Sequence, residues 1–456
     1  MRHFLLAAVL ALRGAAQSLP RAPHAAVTTL TEPGYFTEPA IAVDPHNPLH
    51  VVAAYQDNAH AAYSRDGGRT WAIATGVEPP DYRVSGDVSI TFDNQGDAVL
   101  CFIAFDRLGT ADYWAHDATR NGIFVRRSRD GGETWDSDYR TVHAWPTAPG
   151  IPWEDKPYIV ADNTQGPYAG TLYIGWTEFT LDRSVIVFSR SSDRGQVWST
   201  PIRISTQAGL PRDDNGSVEG FTGAVGPDGT LYVVWSDGAH VVFTSSRDGG
   251  RTFAPSRPII PTAAAYFKVA DVDRANGFPE ISLDPRGGPR GGRLYVSWSD
   301  YRNGDVDVFV ASSGDHGRTW SRPVRVNSDS LHNGADQFFQ WLAVDPSSGA
   351  VNVLFYDRRT DQANRKAAIV LARSTDGGRS FTNYGWTDGA FDAHNEFIGD
   401  YTGLAAFGDR VYGIWTEVDS AAVAAAAAAP GRPRAHHAVI RIGVADFHAG
   451  SGTPGP

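Results

Sequence analysis

The stretch SRDGGRTW (Ser64–Trp71) decides the fold, because it returns five more times along the chain. The other copies are SRDGGETW (Ser128–Trp135), SSDRGQVW (Ser191–Trp198), SRDGGRTF (Ser246–Phe253), SGDHGRTW (Ser313–Trp320) and STDGGRSF (Ser374–Phe381). Their aspartates stand at 66, 130, 193, 248, 315 and 376. The spacing is about 55–67 residues, and a regular period of that size marks a repeat architecture.

The motif has its own physical logic. Asp and Ser side chains hold nearby backbone N–H groups and so lock a turn. The glycine two residues after each Asp admits the positive φ that a tight turn needs. The closing Trp or Phe is large enough to anchor the turn in an apolar layer. Six copies of a catalytic site in one chain would make little chemical sense, so the motif reads as a structural hairpin turn. The pattern S-x-D-x-G-x-[TSV]-[WF] resembles the Asp-box, or BNR repeat, of the sialidase-like β-propellers.

The sequence around the boxes completes one unit. An apolar strand and a turn open each unit, from EPAIAVDP (Glu38–Pro45) and DVSITFD (Asp87–Asp93) to DYTGLAAFGD (Asp400–Asp409). Such openings number seven. A second apolar strand then ends in an aromatic and an acid, as in YQD (Asp57), WSD (Asp300) and WTE (Glu417). A third strand leads into the box and a fourth leaves it, an order plain between Tyr295 and Asn327. Strands buried on both faces read as continuous apolar runs. We therefore expect an all-β propeller of four-stranded antiparallel blades, seven in number, with six as the alternative.

The seventh unit has no box. Its missing strand can come from AAVTTL (Ala25–Leu30), paired with AVIRIGVADF (Ala438–Phe447). That pairing closes the ring and leaves no open sheet edge. The stretch SAAVAAAAAAPGRPRAHHA after the seventh second strand reads as an inserted loop, with a short exposed helix as the alternative.

Composition narrows the function classes. The chain has 456 residues, with 48 Gly and 28 Pro, a mix that suits short strands and tight turns. The formal charge is −11, which makes nucleic acid and anionic membranes poor partners. The single cysteine, Cys101 in AVLCFIAF, excludes an internal disulfide and reads as a buried thiol. The start MRHFLLAAVLALRGAAQ reads as a secretory signal peptide over 1–16, and its apolar run is too short to span a bilayer. We expect one propeller domain over 17–447, a disordered tail over 448–456, and a secreted or periplasmic protein. No cofactor and no metal are expected, although a calcium ion on an acidic face stays open.

Connectivity places the site. The box joins strands three and four, so it shares a face with the turns between strands one and two. The opposite face collects the starts of the first strands, which line the central channel. Glu38, Asp87, Lys156, Glu219, Asp400 and Tyr401 therefore converge at the channel mouth. Their identity changes from blade to blade, as a site demands. The recurrent acids that end the second strands read instead as loop caps.

The sialidase resemblance implies roles for these residues. DYTGLAAFGDRVYGIWTE (Asp400–Glu417) looks like the strand pair carrying the sialidase nucleophile, which implies that role for Tyr401. The resemblance also implies Glu219 as its activating carboxylate and Asp87 as general acid. Sialidases open their first blade with an arginine in an R-I-P motif, and here Glu38-Pro39-Ala40-Ile41 stands in its place. An acid there repels a sialic acid carboxylate, which counts against sialic acid itself as the substrate. Glu38, Lys156, Asp400, Arg302 and Arg358 are the substrate-binding candidates, with Tyr82, Trp153 and Trp341 as platforms for sugar rings. Two functions follow: an exported glycoside hydrolase on a neutral or cationic glycan, or a non-catalytic propeller that binds a glycan or a protein.

Overall fold

The computed structural model describes residues 18–77, 79, 81–107, 120–148, 150–213, 216–428 and 436–448. The expected leader over 1–16 and all but the first residue of the expected tail lie outside the described residues. The chain forms seven four-stranded antiparallel sheets in the order of a propeller. Blade one runs Thr37–Val43, Val51–Gln56, His60–Ser64 and Ala72–Ile73 from axis to rim. Blades two to six repeat that order, with inner strands Val84–Phe92, Trp153–Ala161, Glu219–Val225, Glu280–Leu283 and Gln337–Val344. Blade seven holds Gly403–Phe407, Arg410–Val418 and Ala438–Asp446, and its outermost strand is Ala26–Thr29 from the start of the chain. Ala26 pairs with Val444 and Thr29 with Arg441, which is the closure the sequence predicts.

Hydrophobic burial between adjacent blades holds the ring. Trp176, Trp235, Trp298 and Trp415 sit at equivalent places in four second strands, and all are fully buried. Each removes about 150–250 Å² from water, worth roughly 4–6 kcal/mol before conformational entropy is charged against it. Cys101 lies in the same layer at 0 % exposure, packed with Ile103 and Ile174, and burial raises its thiol pKa well above the ordinary value. The alanine-rich segment of blade seven forms one exposed helix, Ser420–Ala427, capped by the Asp419 side chain. Among the described residues, no helix is long and apolar enough to cross a membrane.

The boxes form the turns that their residues imply. Ser64 Oγ donates to Asp66 at 2.9 Å and accepts from the Gly68 N–H at 2.8 Å. Asp66 also accepts from the N–H groups of Arg69 and Thr70, at 2.9 Å each, and from the Thr70 hydroxyl at 2.7 Å. The same set recurs around Asp248 and Asp376. Donors aimed at the charged form hold Asp66, Asp248 and Asp376 at a pKa of about 2, against the burial that opposes it. The Gly67 N–H bonds to Leu49 O at 3.0 Å, tying the box to the turn between strands one and two on the same face.

Candidate active site

At the other end of the channel the inner strands share a defect. In blades one to four and six, the pairing register slips at the same place near the strand start. The residue at the slip has a left-handed backbone: Glu38 (φ 51°), Asp87 (φ 44°), Lys156 (φ 49°), Gly220 (φ 79°) and Phe339 (φ 51°). Such a bulge re-aims a side chain. For a non-glycine residue it costs about 1–3 kcal/mol, and strain of that kind clusters at functional sites. Four of the five blades carry it without glycine. Blade four uses Gly220, so Glu219 stands one residue before the slip, in register with Asp155 of blade three.

The bulges bring the predicted mouth residues together, all nearly buried: Glu38 (2 % exposed), Asp87 (8 %), Lys156 (9 %), Glu219 (1 %) and Asp400 (4 %). Asp87 accepts from the Lys156 N–H at 3.0 Å, and its own N–H donates to Gln56 Oε1 at 2.9 Å. Glu38 accepts from the Asp400 N–H at 3.1 Å and from the Gln56 amide. Lys156 Nζ lies 3.4 Å from Asp400, and 4.7 Å from the ring centres of both Phe278 and Tyr401.

Three further groups come from segments between blades. Tyr266, Arg274 and Asn276 arrive on a small hairpin, Tyr266–Phe267 paired with Ala275–Asn276, between blades four and five. Asp213 comes from the connection between blades three and four. Arg274 grips Asp400 through Nε (2.9 Å) and Nη2, and reaches Asp213 through Nη1. The Tyr266 hydroxyl lies 2.5 Å from Glu219 Oε2 and 3.1 Å from Asp213 Oδ1. Ser217 donates to the same Glu219 oxygen at 2.9 Å, while Glu219 Oε1 is buried with no hydrogen-bond partner. Asp155, Asp213 and Glu219 each offer an oxygen within 4.8 Å of the others. Three acids so placed are a chelating set, but Tyr266 and Arg274 already hold Asp213.

Electrostatics splits these carboxyls. Burial and the neighbouring Asp213 push Glu219 well up, while Arg274 draws Asp213 down against its burial. Burial with the Asp87 charge raises Glu38 and Asp155. Hydrogen bonds from Asp155 and Glu38 hold Asp87 below its ordinary value, again against burial. Pairs pushed apart in this way are the raw material of acid–base chemistry.

Several sequence assignments change partners. Glu219, expected to activate Tyr401, bonds to Tyr266 instead. The Tyr401 hydroxyl faces Val88 O at 3.4 Å, and its ring packs on Trp341 (6.0 Å). The structure does not bring Arg302 and Arg358 to the cluster. Arg302 is spent on Asp300 and on Pro261 O. Arg358, 1 % exposed, donates to Asn364 O (2.6 Å) and Ala270 O (2.7 Å), which pins the Tyr266 hairpin segment to blade six. Trp153 lies face to face with Phe179 at 4.6 Å, and Tyr82 carries the Arg120 guanidinium at 4.4 Å. Trp341 lines the channel beside Tyr158, Phe278, Glu280 and Tyr401.

Solved structures share this fold. The phage phi92 endosialidase aligns over 95% of this chain and 70% of its own, with 12% identity and a TM-score of 0.52. A leech intramolecular trans-sialidase complexed with 2,7-anhydro-Neu5Ac aligns over 78% of this chain and 68% of its own, with 14% identity and a TM-score of 0.50. The Hadza microbial sialidase Hz136 covers 88% of this chain and 73% of its own, at 17% identity and a TM-score of 0.49. No protein-family model and no curated protein matches the sequence. In fold, this chain is a seven-bladed propeller similar to those of sialidases.

Proposed function

We propose that the chain is a glycoside hydrolase acting at the channel mouth, with Tyr266 as nucleophile and Glu219 as the base that activates it. One observation carries the reading: a half-buried tyrosine hydroxyl sits 2.5 Å from a carboxylate that is 1 % exposed. As Tyr266 Oη bonds to the anomeric carbon, its proton passes to Glu219. The leaving oxygen departs with a proton from a neighbouring carboxyl, and Asp155 is the group placed to give it. Water then cleaves the glycosyl–tyrosine bond: that same carboxylate takes the proton of the attacking water, and the departing Tyr266 oxygen takes its proton back from Glu219.

Charge supports the substrate class. Arg274 is committed to Asp400 and Asp213, and Lys156 to Asp400. Among the described residues, neither Lys156 nor Arg274 is left over for a sugar carboxylate, so the reading is a neutral or cationic glycan. A second reading, a propeller that binds a glycan or a protein without turning it over, draws on the near-complete burial of Glu38, Asp87 and Asp400 under the Arg274 bridge. Exposure to a glycan panel separates the two. Released product supports the hydrolase, and retention without product supports the binder.

A further inference from the structure

Blade three departs from a pattern that blades five and seven share. In blades five and seven, the tryptophan of the second strand donates its indole N–H to the acid two residues on. Trp298 bonds Asp300 at 2.9 Å, and Trp415 bonds Glu417 at 2.7 Å. The matching pair in blade three is Trp176 and Glu178, yet Trp176 donates across to Glu154 on the inner strand. Trp145 donates to the other Glu154 oxygen at 2.7 Å. No described residue hydrogen-bonds the Glu178 carboxylate, and Glu178 stands directly opposite Glu154 in the strand register. Like charges in that position destabilise a sheet. Burial and the Glu178 charge raise Glu154, and the exposed Arg183 only partly offsets the burial that raises Glu178.

A third group faces the pair. His143, on the outer strand of blade two (Arg140–Ala144), places Nε2 3.5 Å from Glu154 Oε1. That nitrogen is buried and has no hydrogen-bond partner. One donor atom from each of His143, Glu154 and Glu178 lies within 4.8 Å of the others. A separation of 3.5 Å is long for a hydrogen bond, whose usual length is about 2.9–3.0 Å. It matches two ligands of one tetrahedral zinc, which bonds at about 2.0–2.2 Å and so spaces its ligands about 3.3–3.6 Å apart.

We propose that His143, Glu154 and Glu178 bind a divalent cation of the zinc class. An imidazole nitrogen beside two carboxylates favours zinc or its transition-metal neighbours over calcium and magnesium, which take oxygen donors. Three protein ligands leave the fourth position of a tetrahedral ion to a water. Trp145 and Trp176 act as outer-shell donors that fix the orientation of Glu154. The ion bridges the rim of blade two to the start of the blade-three inner strand, one residue before Asp155. It is thus a positioning ion for the mouth, and it does not depend on what the mouth catalyses.

The test uses the full chain without a histidine tag, stripped with EDTA and titrated with Zn²⁺ and with Co²⁺. The expected result is one tight equivalent per chain and a cobalt spectrum with four-coordinate d–d bands. Glu178→Gln and His143→Asn should each weaken that equivalent by more than the roughly 10–100-fold that loss of an outer-shell partner costs. The Glu178 carboxylate and His143 Nε2 lack hydrogen-bond partners, so both variants should melt like the wild type in EDTA. A wild type that binds no stoichiometric zinc overturns the proposal. Binding that survives in both variants also overturns it, because the ion would then sit elsewhere.

Discussion

The two ends of this propeller follow opposite rules. At the box end, six turns repeat one pattern, and Asp66, Asp248 and Asp376 even share the same partners and distances to within about 0.2 Å. At the mouth end, the bulge recurs in five blades but its residue changes each time: Glu38, Asp87, Lys156, Gly220, Phe339. Repetition here marks what the fold needs from every blade. A repeated backbone device carrying a different side chain in each blade marks a site, because a substrate is not seven-fold symmetric.

The sharpest way to break this contrast is at Glu219. Glu219→Gln keeps the shape and removes the base, so turnover on a cleaved glycan should fall by about 10²–10⁴-fold while the melting curve stays close to wild type. An unchanged rate would return Glu219 to a packing role. The next effect is on the whole fold. Deleting residues 17–32 removes the outer strand of blade seven and exposes the long edge of Ala438–Asp446. The truncated chain should unfold cooperatively at a much lower temperature, and a melt identical to the intact protein would refute closure.

The pH profile sharpens the mouth end. Glu219 must be ionised to take the Tyr266 proton, and burial raises its pKa above the ordinary 4.5. Turnover should therefore be low in acid and rise with pH, with a midpoint above the usual carboxylate range. A midpoint at or below 4.5 would contradict this. The box end gives the smallest effect. Asp248→Ala loses hydrogen bonds from Ser246, Arg251 and Thr252, and should cost about 1–2 kcal/mol of stability without changing the rate per folded molecule. The Asp248 pKa is depressed from 3.8 to about 2. Its contribution is therefore complete above pH 3.8 and is lost as pH falls through 2, so wild type and variant should converge in stability only in strong acid.

The sequence revealed the blades because repetition is visible without coordinates. The first strands, the aromatic–acid endings and the boxes gave seven units and the face of the site, and Ala25–Leu30 gave the closure. Much of the mouth was legible too, since Glu38, Asp87, Lys156, Asp400 and Glu219 meet there. Asp155 was missed because strand counting assumes regular alternation, and the bulge at Lys156 breaks that alternation just after Asp155. Tyr266, Arg274 and Asp213 were missed because they lie between blades, where no repeat constrains them. The signal available was excess length: the run AYFKVADVDRANGF between blades four and five fits no strand of the unit. Arg358 looked free because its partners, Asn364 O and Ala270 O, are backbone groups that no sequence pattern marks, whereas Arg302 turns back onto Asp300 two residues before it.

The central claim is that the mouth reacts through the tyrosine of the inserted hairpin. The direct measurement is turnover of Tyr266→Phe beside Tyr401→Phe, on a glycan that the wild type cleaves. The Tyr266 hydroxyl touches two carboxylates, whereas that of Tyr401 touches a backbone carbonyl at 3.4 Å. The account predicts that Tyr266→Phe loses turnover by orders of magnitude and keeps its fold, while Tyr401→Phe stays within about tenfold of wild type. A Tyr266→Phe enzyme with wild-type turnover would contradict it.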